Sequence, residues 1–100
     1  MTVEEKDPTT GSREKLKRPQ KYTVVFLNDD FTPMEFVVQI LKEIFGQGDE
    51  AAYSIMLAIH NQGRGKVGLY TFEVAETKVS TTMDLARRHG HPLRCDIEPA

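Results

Sequence analysis

The stretch KYTVVFLN, Lys21–Asn28, constrains this chain more than any other. It is rich in β-branched and aromatic residues, and Val24, Val25, Phe26 and Leu27 follow one another without a polar interruption. Successive side chains of a strand point to opposite faces, so a run without alternation is apolar on both and must be covered on both. Tyr22–Asn28 is therefore predicted to be the central strand of a sheet. A chain of 100 residues fits one domain with one modest core, so that sheet has to be small.

The segment after the strand carries helix-start signals: Thr32 as N-cap, Pro33 at the first helical position, Glu35 completing a capping box, and Phe31 and Phe36 as a hydrophobic staple. Val37, Ile40, Leu41, Ile44 and Phe45 then recur on one helical face, and Gly46 stops the run. Asp49 is predicted to cap a second helix that buries Ala52, Ile55, Met56 and Ile59, ending in the loop NQGRG. KVGLYTF reads as a second strand, Ala75–Arg88 as a third helix with Val79, Met83 and Ala86 on one side and Gly90 as terminator. LRCDIE alternates, with Leu93, Cys95 and Ile97 inward and Arg94, Asp96 and Glu98 outward. The expected fold is α+β, βααβαβ, with a three-stranded antiparallel sheet packed against three helices. Residues 1–20 are polar, with Pro8, Gly11 and Pro19, and too poor in large apolar side chains to offset ordering entropy. They are expected to form a disordered arm, leaving 21–100 as the core domain.

Several function classes are disfavoured at once. The formal charge of −2 lacks the basic excess of a nucleic-acid binder. No window approaches the roughly 18 apolar residues of a membrane span, and the N-terminal residues lack the apolar region of a secretory signal. The single Cys95 cannot form an internal disulfide, which fits a reducing, cytoplasmic setting. Ser54 falls mid-helix and Cys95 points into the sheet, so neither is placed as an activated nucleophile. His89, His91 and Cys95 match no common zinc spacing, Asp29–Asp30 lacks the rest of a calcium loop, and GRG is too short to cradle a phosphate. No metal and no cofactor is expected.

Two constellations remain. Asn28, Asp29 and Asp30 stand just before a helix start that Thr32 and Glu35 already serve. They form either a polar turn or a set of oxygen acceptors for a cation. Met56 and His60 share one face of the second helix. They are either ordinary core and surface, or one wall of a pocket whose other wall is Met34 and Val37, with acceptors at its rim.

NDDFTPMEFV, MLAIH, VAETKV and HPLRC, in this order and spacing, resemble the ClpS adaptor family over about residues 21–100. These are bacterial N-end-rule recognition proteins that deliver substrates to the ClpAP protease. The resemblance implies an adaptor, not an enzyme, that binds N-degron peptides. Asn28, Asp30 (partly through water) and His60 would receive the substrate's α-amino group, with Asp29 as a supporting acid. Thr32, Met34, Val37, Met56 and Leu93 would line the side-chain pocket, and Met34 is placed like the family's gate against β-branched side chains. Glu73, Thr77 and Lys78 would dock on the N-terminal domain of the ClpA unfoldase. Phe31 stands where Tyr is common in the family. A rival reading is an interaction domain resembling the C-terminal domain of the ribosomal stalk protein, in which the acidic cluster is surface charge and Met56 is core. A small hydrolase acting on chain starts is a second.

Overall fold

A computed structural model describes residues 20–100; the arm expected at residues 1–20 lies outside this range apart from Gln20. The elements are strand β1 (Lys21–Leu27), helix α1 (Met34–Glu43), helix α2 (Asp49–Gln62), strand β2 (Arg64–Thr71), helix α3 (Phe72–Arg88) and strand β3 (Arg94–Pro99). The order is βααβαβ, as expected. The sheet runs β2-β1-β3 with both pairings antiparallel. The strand that is apolar on both faces is thus the central one, and Val24, Val25 and Phe26 are completely buried.

One core lies between the sheet and the helices. Val24 and Phe26 meet Val37, Ile40 and Leu41 of α1, Ala52, Met56 and Ile59 of α2, and Ala75, Val79 and Ala86 of α3. Two details hold α2 and β2 in place. The β1–β2 register shifts between Val24 and Val25, whose partners are Gly68 and Lys66, so Val67 is the extra residue of a bulge. Gln47 donates its side-chain amide to the Val67 carbonyl at 3.0 Å, satisfying a buried acceptor. In the GRG loop, Gly63 takes φ 88° to end α2. At Gly65 a Cβ would sit 2.7 Å from Ile59 Cγ1, so the absent side chain is what lets α2 lie directly on β2.

Several local expectations fail for identifiable reasons. Pro33, not Thr32, is the residue before α1, and no side chain caps that helix. The Thr32 hydroxyl donates to the Asp29 carboxylate at 2.8 Å and belongs to the turn before the helix. There is no hydrophobic staple: Phe31 is 78% exposed, and Phe36 packs edge-on against His91, with ring centroids 4.6 Å apart, and beside His89. Gly48 precedes α2, while Asp49 is its first residue and pairs with Lys42 of α1 at 2.8 Å. β2 starts earlier than expected, at Arg64, and α3 starts at Phe72, with no loop between them. Phe72 makes an edge contact with Tyr22 (5.1 Å between centroids), which turns the chain sharply from strand to helix.

Thr82 of α3 is fully buried, and its hydroxyl has no hydrogen-bond partner among the described residues. A buried hydroxyl without a partner costs about 1–3 kcal/mol in desolvation. Thr82→Val keeps the branched shape and removes that oxygen. It is expected to raise unfolding stability in urea by about 1 kcal/mol; a neutral or destabilising change would mean the hydroxyl is satisfied.

Candidate functional site

The segment Asn28–Pro33 joins β1 to α1, and its conformation is imposed mainly by one carboxylate. Asp29 Oδ1 accepts from the backbone N–H groups of Phe31 (2.8 Å) and Thr32 (2.7 Å), and Oδ2 accepts from the Thr32 hydroxyl. The result is an Asx-type turn reinforced by a side-chain bond. Partial burial works to raise the Asp29 pKa. The Thr32 and Phe31 amides, the Thr32 hydroxyl and the nearby His91 outweigh it, and the pKa lies below its usual value. At the start of the segment, the Asn28 N–H donates to the Gly63 carbonyl at 2.9 Å, which ties the loop to the end of α2.

Loop, α1 and α2 enclose a cavity of about 180 Å³ lined by Asn28, Asp29, Asp30, Thr32, Met34, Val37, Met56, Ile59 and His60. Its floor is buried and apolar, with Val37 at 7%, Met56 at 5% and Ile59 at 4% exposure. Its rim is polar: Asn28, Asp30 and His60 are exposed. Among the described residues these three side chains make no hydrogen bond, whereas both oxygens of Asp29 are engaged within the loop. Carboxylate and amide oxygens and an unprotonated ring nitrogen are acceptors. The rim therefore presents acceptors above a greasy hollow, and Asp29 holds the rim in shape.

Eight of the nine residues expected at the amine site and pocket line this cavity. Leu93 does not: it precedes β3 and is buried in the core cluster with Cys95. Ile59 lines it and was read only as core. Its signal was present, because Met56, Ile59 and His60 fall at i, i+3 and i+4 of one helix face. Of the three residues expected to dock, Glu73 and Thr77 are exposed and Lys78 is half-buried. Lys78 donates to the Ile44 carbonyl at the end of α1 (2.7 Å) and lies over the rings of Phe45 and Tyr70. It closes the C-terminal end of another helix, a role that a long-range contact creates and local spacing does not reveal.

The residues considered for other chemistries are occupied elsewhere. His89 and His91 stack on each other and pack tilted and edge-on against Phe36. Burial, and after it the charge of Asp96, pushes the Cys95 thiol up to about 12, so it is not a thiolate at neutral pH. Among the described residues no group of His, Cys, Asp and Glu side chains is arranged to hold a metal ion. No helix among them is long and apolar enough to cross a membrane.

Comparison with known proteins gives a consistent result. The chain is 55% identical to the ATP-dependent Clp protease adapter protein ClpS of Hyphomonas neptunium over 92% of its own length and 78% of that protein. It is 55% identical to ClpS 1 of Agrobacterium fabrum over 89% of its length and 76% of that protein. Its fold is similar to the solved structure of Agrobacterium tumefaciens ClpS2 bound to L-phenylalaninamide. There the TM-score is 0.80 and the identity 37%, covering 83% of this chain and all of that one. Such relatives are adaptors rather than enzymes. With residues 17–96 matching the family model for the ATP-dependent Clp protease adaptor protein ClpS, the chain belongs to the ClpS family.

Proposed function

We propose that this protein is a cytoplasmic adaptor that captures the free α-amino group of a polypeptide together with a large hydrophobic first side chain, Leu, Phe, Tyr or Trp. It then delivers the captured protein to the ClpA unfoldase of ClpAP for degradation. The observation that carries this reading is the cavity, which combines an apolar floor with a rim of acceptors that are unengaged among the described residues. At about 180 Å³ it suits one side chain, being smaller than the pockets of roughly 300–1,000 Å³ that enclose whole small ligands. L-Phenylalaninamide, the ligand of the solved relative, has a free α-amine and a benzyl group, the chemistry of a chain start. The stalk-protein reading gives the cavity no use.

A chain-start amine has a pKa of about 7.7–8.0 and is largely cationic at neutral pH. It offers three donors, and Asn28, Asp30 and His60 supply three acceptors around one opening. An internal peptide nitrogen carries no such charge. Burying a Phe side chain contributes about 1.5–3 kcal/mol, and each charged hydrogen bond adds about 1.5–3 kcal/mol net. Immobilisation opposes this by about 4 kcal/mol or more. The balance lies between about −2 and −8 kcal/mol, micromolar at its favourable end, which suits a carrier that must release its load.

For delivery, the docking face we propose is the start of α3. Glu73 and Thr77 stand there among exposed Leu69, Phe72 and Val74, an apolar patch with a charged edge. Lys78 belongs to it only at its margin, since its ammonium is tied to Ile44.

Three outcomes test this reading. In fluorescence anisotropy, a peptide beginning with free Phe binds at about micromolar Kd and its N-acetylated twin does not; equal binding of the two would remove the α-amine from the account. The two neighbouring aspartates separate by role. Asp30→Ala weakens peptide binding about tenfold or more, the worth of one charged hydrogen bond, with little change in stability. Asp29→Ala lowers stability by about 1–2 kcal/mol as well as binding. Because the Asp29 pKa is lowered on folding, its stabilisation is present above the ordinary carboxylate value of 3.8 and is lost as pH falls below it. Urea denaturation should therefore show a steeper loss of stability below that pH in the parent protein than in Asp29→Asn. Finally, Glu73→Lys weakens association with the ClpA N-terminal domain about tenfold while leaving peptide affinity unchanged; loss of peptide binding in that variant would place Glu73 elsewhere in the mechanism.

A further inference from the structure

The β1–β3 pairing ends at Leu27 and Arg94. The loop that leaves β1 and the segment that enters β3 from α3 therefore emerge at the same end of the sheet. That second segment is firmly set. Gly90 turns the chain back from α3 with φ 74°, and the His91 N–H donates to the Ala86 carbonyl at 2.8 Å. Pro92 restricts the His91 backbone from the other side. The half-buried His91 ring lies edge-on to Phe36 of α1, with centroids 4.6 Å apart, and nearly parallel to the exposed His89 at 6.1 Å.

Among the described residues the His91 ring makes no hydrogen bond. The fold packs its flat ring and makes no use of its nitrogens. Beside it stands Asp29. Burial works to raise the Asp29 pKa, the bonds from Thr32 and Phe31 lower it, and the charge of His91 lowers it further. Other charged groups on the elements that meet here are turned to other tasks. Glu35 of α1 lines the outer side of that helix with Tyr53 and Leu57, and Asp30 lines the cavity. Arg87 and Arg88 of α3 pair with Asp84, and Arg94 is exposed at the head of β3.

We propose that His91 is a positioning residue of the amine site: packed against Phe36 and set beside Asp29, it braces the Asn28–Pro33 loop from the side of α3, and a proton on it tightens that brace. The loop is then held on two flanks, by His91 on one and by the bond from Asn28 to Gly63 on the other. A turn that opens carries the Asp29 carboxylate away from the imidazole, so the attraction favours the closed turn alone. The effect on binding rests on the first-residue reading above; the effect on the loop does not.

The test uses the full chain. Amide exchange at Phe31 and Thr32, whose N–H groups donate to Asp29, reads the closed turn directly. It is followed by NMR at about pH 5.5 and about pH 7.5, as protection relative to an unstructured chain, because imidazole changes its charge in this range. His91→Phe keeps a ring edge for Phe36 and removes the charge. It is expected to lower protection about two- to threefold at the acid pH and less at the higher one, and to have no effect in an Asp29→Asn background. Equal protection in His91→Phe and the parent at both pH values would overturn the proposal, as would a loss that persists alongside Asp29→Asn. His91→Gln removes the ring as well. In fluorescence anisotropy at about pH 7.5 it should bind a peptide beginning with free Phe about threefold more weakly, the worth of an aromatic edge contact, and His91→Phe should recover most of that loss. Unchanged affinity in His91→Gln, or a loss that His91→Phe does not recover, would also overturn it. An N-acetylated peptide that binds as tightly as the free one brings down the first-residue reading, while the exchange measurement, which involves no peptide, still decides the brace.

Discussion

Everything at the candidate site depends on the Asp29 carboxylate. A loop of a few residues between a buried strand and a helix has many conformations open to it, and fixing each residue costs about 1–2 kcal/mol in backbone entropy. Asp29 accepts three hydrogen bonds from two residues of the loop, the N–H groups of Phe31 and Thr32 and the Thr32 hydroxyl. Both its oxygens are thereby engaged within the loop. Its neighbours on either side, Asn28 and Asp30, are held in place by its bonds, and their side chains make no hydrogen bond among the described residues. The tie from the Asn28 N–H to the Gly63 carbonyl sets this loop against the end of α2, where His60 sits. One ionised side chain and one backbone bond thus join three rim groups drawn from two separate elements.

The second constraint is the division between floor and rim. Val37, Met56 and Ile59 are almost wholly buried and belong to the same cluster as Phe26 and Leu41. The cavity floor is therefore a part of the hydrophobic core left uncovered, and its shape is as rigid as the core itself. The rim groups Asn28, Asp30 and His60 stay exposed to water. A buried carboxylate without a partner would carry a desolvation cost of several kcal/mol. Leaving Asp30 exposed avoids that cost in the unliganded protein, and Gly65 contributes by letting Ile59, a floor residue, approach the sheet.

How much of this was legible in the sequence follows from which interactions are local. The central strand was readable because Val24–Leu27 is apolar at consecutive positions, and only a middle strand has both faces covered. The helices were readable from their periodic stripes, and the shared face of Met56 and His60 from helical spacing. Helix starts were not readable. Thr32 looks like a cap, but Asp29 draws its backbone N–H and its hydroxyl into the loop's own turn, and the helix begins two residues later, at Met34. The staple failed because Phe36 found a partner in the distant His89–His91 pair. The surroundings of Leu93 and Lys78 were not readable for the same reason: one enters the core and the other caps α1 through contacts with residues far away in the chain. Ile59 shows the converse limit, since periodicity marks a residue as buried without telling core from pocket floor.

The arrangement of the two proposed surfaces also follows from β1. Tyr22, near its start, holds Phe72 at the head of α3, and Asn28 follows its end. Six residues of strand at about 3.3 Å each separate these points by about 20 Å. The proposed docking face and the proposed amine site therefore lie at opposite ends of the central strand, whose middle is completely buried. A partner the size of a protein domain, bound at Glu73 and Thr77, leaves the rim open. An adaptor has to hold two partners at once, and a short strand buried on both faces is the simplest rigid spacer a domain of this size can provide. Because it is fully packed, engagement at one end has no ready way of distorting the other. Hand-over would then depend on the weakness of each individual contact at the rim rather than on a change of shape.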